Sequence, residues 1–169
     1  MRPCLVNATL LALALATTVL PAAGPAQAQD RVKRGAYLAA IMDCTGCHTP
    51  GALIGKPDQA RSLAGSDIGF AIPDLGVFYP PNLTPDRETG LGSWSEADIV
   101  KAVRTGVTPS GRTLVPVMPF PSYARLTDAD AQALAAYLKS LKPVKHQAPA
   151  PVGAQEKPKA PYLTLVVPK

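Results

Sequence analysis

The sequence predicts an all-α fold, helices joined by long loops, from three observations. Apolar residues recur at helical spacing in three windows, at residues 30–44, 95–106 and 127–142. Gly and Pro crowd the connections between them. At the end of the first window stands Cys44-Thr45-Gly46-Cys47-His48, the C-x-x-C-H pattern by which a chain attaches a haem covalently, and long loops need such an object to wrap around.

The first 28 residues read as a cleaved export leader. Arg2 supplies the positive start, an apolar run from Leu10 to Leu20 is too short to span a bilayer, and Ala26-Gln27-Ala28 precedes the expected cut. Cys4 lies ahead of the apolar run and leaves with the leader, so Cys44 and Cys47 remain and no structural disulfide is expected. The mature chain starting at residue 29 has the length of one domain, taken here as residues 29–144, followed by a Pro-rich tail at 145–169. A porphyrin offers apolar surface to a chain that has nine aromatic residues of its own.

In the first helix Val32, Ala36, Ala40 and Cys44 recur every four residues, with Tyr37 and Ile41 beside them, delivering the pentapeptide at its C-terminal end. Residues 49–81 are rich in Gly and Pro and predict loops, with at most a short hairpin around Asp74-Leu75-Gly76. Ser95-Glu96-Ala97-Asp98 resembles a capping box, opening a helix that Gly106 closes. Residues 108–122, interrupted by Pro109, Pro116, Pro119 and Pro121, predict a stiff non-helical loop carrying Met118. The last helix is capped by Thr127, shows Ala131, Leu134, Ala135, Leu138 and Leu141 on one face, and stops at Pro143. Residues 143–160 read as an extended, poorly ordered tail, and Tyr162-Leu163-Thr164-Leu165-Val166-Val167 as a strand or a docking segment.

The chemistry follows from the pentapeptide. Two thiols three positions apart can bridge the two vinyl edges of one porphyrin, and His48 can take the iron from below. The second axial position decides between electron transfer, which wants a closed iron, and ligand binding, which wants an open one. Met118, restrained by Pro116 and Pro119, is the expected second ligand. Met42 is too near His48 on its own helix, and placing His146 on the iron would require ordering the tail. A peroxidase-like or gas-binding haem enzyme or sensor is the alternative reading, and requires an open distal face. A thiol oxidoreductase would need free cysteines and a zinc site more ligands than His48 and His146 complete.

The chain has 17 basic and 12 acidic residues, a formal charge of +5 that falls by one when Arg2 leaves. No Lys/Arg run with interleaved aromatics appears, which argues against a nucleic-acid partner. Mild basicity suits a partner with an acidic docking patch.

Together with Arg34-Gly35-Ala36-Tyr37-Leu38, Pro81-Asn82-Leu83-Thr84-Pro85-Asp86, Thr89-Gly90-Leu91-Gly92, Trp94-Ser95, Met118-Pro119-Phe120-Pro121-Ser122-Tyr123 and Leu126-Thr127-Asp128, the pentapeptide makes the chain strongly resemble class I cytochromes c. Within them it is similar to the haem domains of bacterial dehydrogenase cytochrome c subunits, over about residues 32–144. The resemblance implies first and last helices crossing near Gly35 and Tyr137, one haem c between His48 and Met118, and Asn82, Trp94 and the Tyr79 region near the haem edge or propionates. Arg104 and Arg112 are weaker propionate candidates. It also implies a periplasmic single-electron carrier without substrate chemistry, taking electrons from a dehydrogenase and giving them to an oxidase or another cytochrome. Those dehydrogenase subunits carry three haem motifs where this chain has one, and no integral membrane segment is expected once the leader is removed. The oligomeric state is left open.

Overall fold

The structure, a computed structural model, describes residues 25–168. The expected leader lies almost wholly outside the described residues. Five helices appear among them: α1 (Pro25–Ile41), α2 (Cys44–His48), α3 (Glu96–Thr105), α4 (Phe120–Tyr123) and α5 (Asp128–Ser140). They do not stand alone. Strands β1 (Gly69–Ile72), β2 (Gly76–Phe78), β3 (Val152–Gly153) and β4 (Tyr162–Leu163) form a mixed sheet in the order β3-β2-β1-β4.

The all-α expectation is therefore corrected. Phe70 faces Phe78 and Ala71 faces Val77 across an antiparallel hairpin, whose turn places Asp74 at φ 63°. A two-strand hairpin is marginal by itself, and the C-terminal segment completes it. β3 pairs antiparallel with β2 through Val77 and Val152, and β4 pairs parallel with β1 through Phe70 and Leu163. The C-terminal segment thus supplies both sheet edges, β3 from the stretch read as poorly ordered and β4 from the segment read as a strand or a docking segment. The hairpin lies where one was expected, around Asp74-Leu75-Gly76, whereas β3, two residues long, carries too little alternation to register as a pattern in the sequence.

α1 and α5 cross where Gly35 meets Ala133 and Tyr137; a Cβ at Gly35 would fall 2.0 Å from the Ala133 carbonyl oxygen. That close approach turns α1 so that Gly35, Leu38 and Ala39 are buried, whereas Ala40 and Ile41 of the expected stripe are exposed. On α5 the expected face is the buried one: Ala131, Leu134, Ala135 and Leu138 are each at most 3% exposed. Leu134, Ala135 and Leu138 pack with Ala39, Leu63, Leu91 and Ile99 into the core.

Both predicted caps form. Ser95 Oγ accepts from Asp98 N (3.1 Å) while Asp98 Oδ2 accepts from Ser95 N (2.9 Å), a complete capping box, and Thr127 Oγ1 accepts from Asp130 N (3.1 Å). Lys139, suited to the C-terminal dipole of α5, also reaches across to donate to the carbonyls of Leu91, Gly92 and Trp94. The Pro-rich loop is not free of helix: α4 starts after Pro119 and holds Pro121 in its first turn, where the missing amide has no intrahelical partner to lose.

Candidate functional site

The pentapeptide does not continue α1. The chain breaks after Ile41, Asp43 enters the left-handed region at φ 52°, and its carboxylate accepts from Gly46 N (3.2 Å) to start α2 afresh. A Cβ on Gly46 would fall 2.3 Å from Asp43 Oδ2, so the variable position of the motif is held small by its own cap.

His48 is 6% exposed, and its Nδ1 lies 2.7 Å from the Pro81 carbonyl oxygen. A carbonyl only accepts, so Nδ1 carries the proton and Nε2 keeps its lone pair. Burial pulls the imidazole below its usual pKa, against the opposing pull of the Pro81 bond. A neutral ring with a fixed tautomer is what a metal requires of a histidine. The two thiols behave as thiols rather than thiolates. Burial and then neighbouring Asp43 push Cys44 up to about 11, and the same causes raise Cys47. Neither has the electropositive setting of a thiol oxidoreductase.

These side chains open onto a cavity of about 650 Å³. Its lining includes Met42, Cys44, Cys47 and His48, the loop residues Val115, Met118 and Pro119, and the apolar side chains of Leu91, Ile99, Leu134 and Leu138. Protein interiors pack with few voids larger than a water molecule, so a space of this size is a binding site rather than a packing fault. Its lining fits a haem: an apolar slot, two thiols, an imidazole with a free lone pair, and a thioether. The loop carrying Met118 leads into α4, whose Tyr123 OH donates to Met42 O (3.0 Å) in the turn just ahead of the motif. Burial, with the cysteines and Asp43 nearby, pushes that phenol up to about 12.

The alternatives weighed on the sequence lose their geometry here. His146 is turned to Ala64 O (Nδ1, 2.7 Å) and Asp67 Oδ1 (Nε2, 3.1 Å), outside the cavity lining. Among the described residues no three His, Cys, Asp or Glu side chains are grouped to hold a metal ion, which leaves the zinc reading without ligands.

Residues 32–142 match the family model described as cytochrome c. The chain belongs to the cytochrome c family. This cytochrome c accordingly carries covalently bound haem c, and Cys44, Cys47 and His48 fit the attachment motif. It is 45% identical over 130 residues to a gluconate 2-dehydrogenase cytochrome c subunit of Pantoea cypripedii, covering 76% of this chain and 27% of that one. It is 41% identical over 133 residues to the cytochrome c subunit of a quinone alcohol dehydrogenase of Gluconobacter oxydans, covering 76% and 26%. The cytochrome subunit of a fructose dehydrogenase of Gluconobacter japonicus is 39% identical over 130 residues, 75% of this chain and 24% of that one. The cytochrome thus spans about a quarter of the length of these relatives. The relatives are cytochrome subunits of dehydrogenases, in keeping with an electron-transfer role rather than with catalysis.

Asn82 and Trp94 both line the cavity, in different ways. Trp94 is half-buried against the core cluster. Asn82 is 1% exposed and its amide is already engaged: Nδ2 donates to Thr89 Oγ1 (3.0 Å), Val144 O (2.8 Å) and His146 O (3.3 Å), and Oδ1 accepts from Thr84 N (2.9 Å) and Thr84 Oγ1 (2.8 Å). It therefore fastens the tail to the loop. Arg104 pairs with Asp128 (2.5 Å), whereas Arg112 lies at the cavity. Sequence reasoning missed the wall made by Gln147, Ala148, Pro149, Ala150 and Pro151. A Pro/Ala-rich segment has no periodicity to mark a buried face, and Ala148, 7% exposed, is buried by its position alone.

Proposed function

We propose that this cytochrome c is an exported, monohaem carrier whose iron is held between His48 and Met118, passing single electrons from a dehydrogenase to an oxidase or another cytochrome. When bound, the haem iron supplies the chemistry, alternating between ferric and ferrous states. Cys44 and Cys47 hold the porphyrin, Pro81 fixes the tautomer of His48, and the apolar wall around Leu134 and Leu138 excludes water. A low dielectric around the haem disfavours the extra charge of the ferric state and raises the potential.

One observation carries the reading: Met118 lines the same cavity as Cys44, Cys47 and His48, so one group could meet a thioether and an imidazole. Export is supported by the leader-like residues 1–28 and by a cofactor attached outside the cytoplasm, and among the described residues no helix is long and apolar enough to cross a membrane. A dehydrogenase as donor is supported by what the relatives are subunits of. In Met118→Ala the ferric haem should turn high-spin; an unchanged low-spin spectrum would remove Met118 from the iron and return the open-face reading to consideration.

A further inference from the structure

Residues 144–151, which follow α5, take no part in holding the iron, yet they are clasped at several points and close one wall of the cavity. Val144 O and His146 O accept from Asn82 Nδ2, Val144 N donates to Thr84 Oγ1 (3.1 Å), and His146 N donates to Thr89 Oγ1 (3.1 Å). Beyond the clasp, residues 147–151 lie along the cavity.

The His146 ring anchors this strap by both nitrogens. Nδ1 meets a carbonyl, Ala64 O, and Nε2 meets a carboxylate, Asp67 Oδ1. Both partners only accept, so both contacts are hydrogen bonds only when the ring carries two protons. In either neutral tautomer one nitrogen lone pair faces an oxygen lone pair, and one attachment turns repulsive. The ring side chain is 12% exposed, which limits how far water can repair the loss. Of the other charged groups near the segment, Lys145 pairs with Glu88 (2.5 Å), and Asp86 accepts from Thr89 N and Oγ1. The turn that receives His146 also holds the motif, because Gly65 N donates to His48 O (2.8 Å) and Ser66 N to Pro80 O (2.9 Å).

We propose that His146 is a positioning residue that, as an imidazolium, latches the 144–151 strap over the haem cavity, and that its deprotonation loosens the strap and lets water reach the haem. The inference rests on the reading that haem fills this cavity. Water at the haem raises the local dielectric and favours the more charged ferric state, so the potential falls as the latch opens.

The test uses the holoprotein, with hydrogen exchange at the Val144 and His146 amides and the haem potential both followed across about pH 5 to 8, the range in which histidines titrate. After correction for the intrinsic pH dependence of exchange, protection should fall about tenfold with rising pH, as loss of a charge-assisted hydrogen bond implies. The potential should fall over the same interval. In His146→Gln both profiles should be flat, and in Asp67→Asn, where a neutral ring meets an amide able to donate, the exchange step should shrink. Wild-type protection that ignores pH, or a step that survives in His146→Gln, would overturn the latch. An exchange step beside a constant potential would overturn the entry of water. The two readings fail separately: a low-spin His/Met spectrum with flat exchange sinks the latch alone, and an exchange step in a protein with other axial ligation sinks the carrier reading alone.

Discussion

The two walls of the haem cavity are held by different forces. One wall is helical: Ile99 of α3 and Leu134 and Leu138 of α5 line it and pack with Ala39 of α1 in one core cluster, all aliphatic side chains with no hydrogen bond among them. The other is made of loop and strap, residues 80–91 and 144–151, and its buried residues include Asn82 and Thr84, each bonded to its neighbours and to the strap. Apolar packing is non-directional and resists local opening, whereas a hydrogen-bonded clasp is specific and can be released one attachment at a time. The helical wall supplies stability, and the clasp decides how well the haem is covered.

Replacing Gly35 by Val attacks the first wall hardest. The new side chain would enter the Ala133 carbonyl, so α1 and α5 must separate, and the variant should lose more than ~3 kcal/mol or fail to accumulate as folded holoprotein. Leu134→Ala leaves a hole beside the cavity and should cost about 3 kcal/mol in denaturant titration, with global rather than local exchange affected. Asn82→Ala tests the second wall. It strips the Thr89, Val144 and His146 contacts at once and should cost about 2 kcal/mol, with exchange accelerated first in residues 144–151. If Asn82→Ala and Leu134→Ala gave the same exchange pattern, the distinction between the walls would be lost.

Smaller effects sharpen it. Ser95→Ala removes the cap of α3 on the helical side and should cost about 1 kcal/mol without disturbing the strap. Acid acts on both sides through depressed carboxylates: Asp86 is held below the usual range first by the Thr89 hydroxyl, Asp98 first by the Ser95 hydroxyl, and Asp130 first by the Arg34 guanidinium. The sign follows from the lowered folded-state values. Their contribution is complete above the unfolded carboxylate pKa of about 3.9 and disappears as pH falls through the lower folded values, so this carboxylate contribution should be level near neutrality and decline below about pH 4. All three groups are half-buried at the surface, within reach of solvent screening, and the decline should be shallow.

The helical wall was the legible one. The stripe on α5 and the caps at Ser95 and Thr127 are written at short range, as periodicity and as hydrogen-bonding residue types at fixed offsets. On α1 the stripe was misplaced because Gly35, which has no side chain to count, sets the contact face, leaving Ala40 and Ile41 outside. The break at Asp43 was hidden for a similar reason: a left-handed aspartate capping a five-residue helix leaves no repeat to read. The clasp and the sheet join residues some 60 to 90 positions apart, through Asn82 with Val144 and Phe70 with Leu163, and no local pattern encodes such pairings. At the site, the pentapeptide named the haem chemistry outright, whereas the strap wall of residues 147–151 had no signal in its Pro and Ala composition.

The most direct test of the central claim is the near-infrared and visible spectrum of the ferric holoprotein, followed through reduction. A methionine-to-iron charge-transfer band with sharp low-spin features is the predicted result, and it should vanish in Met118→Ala. A high-spin ferric spectrum in the wild type would contradict a carrier closed between His48 and Met118.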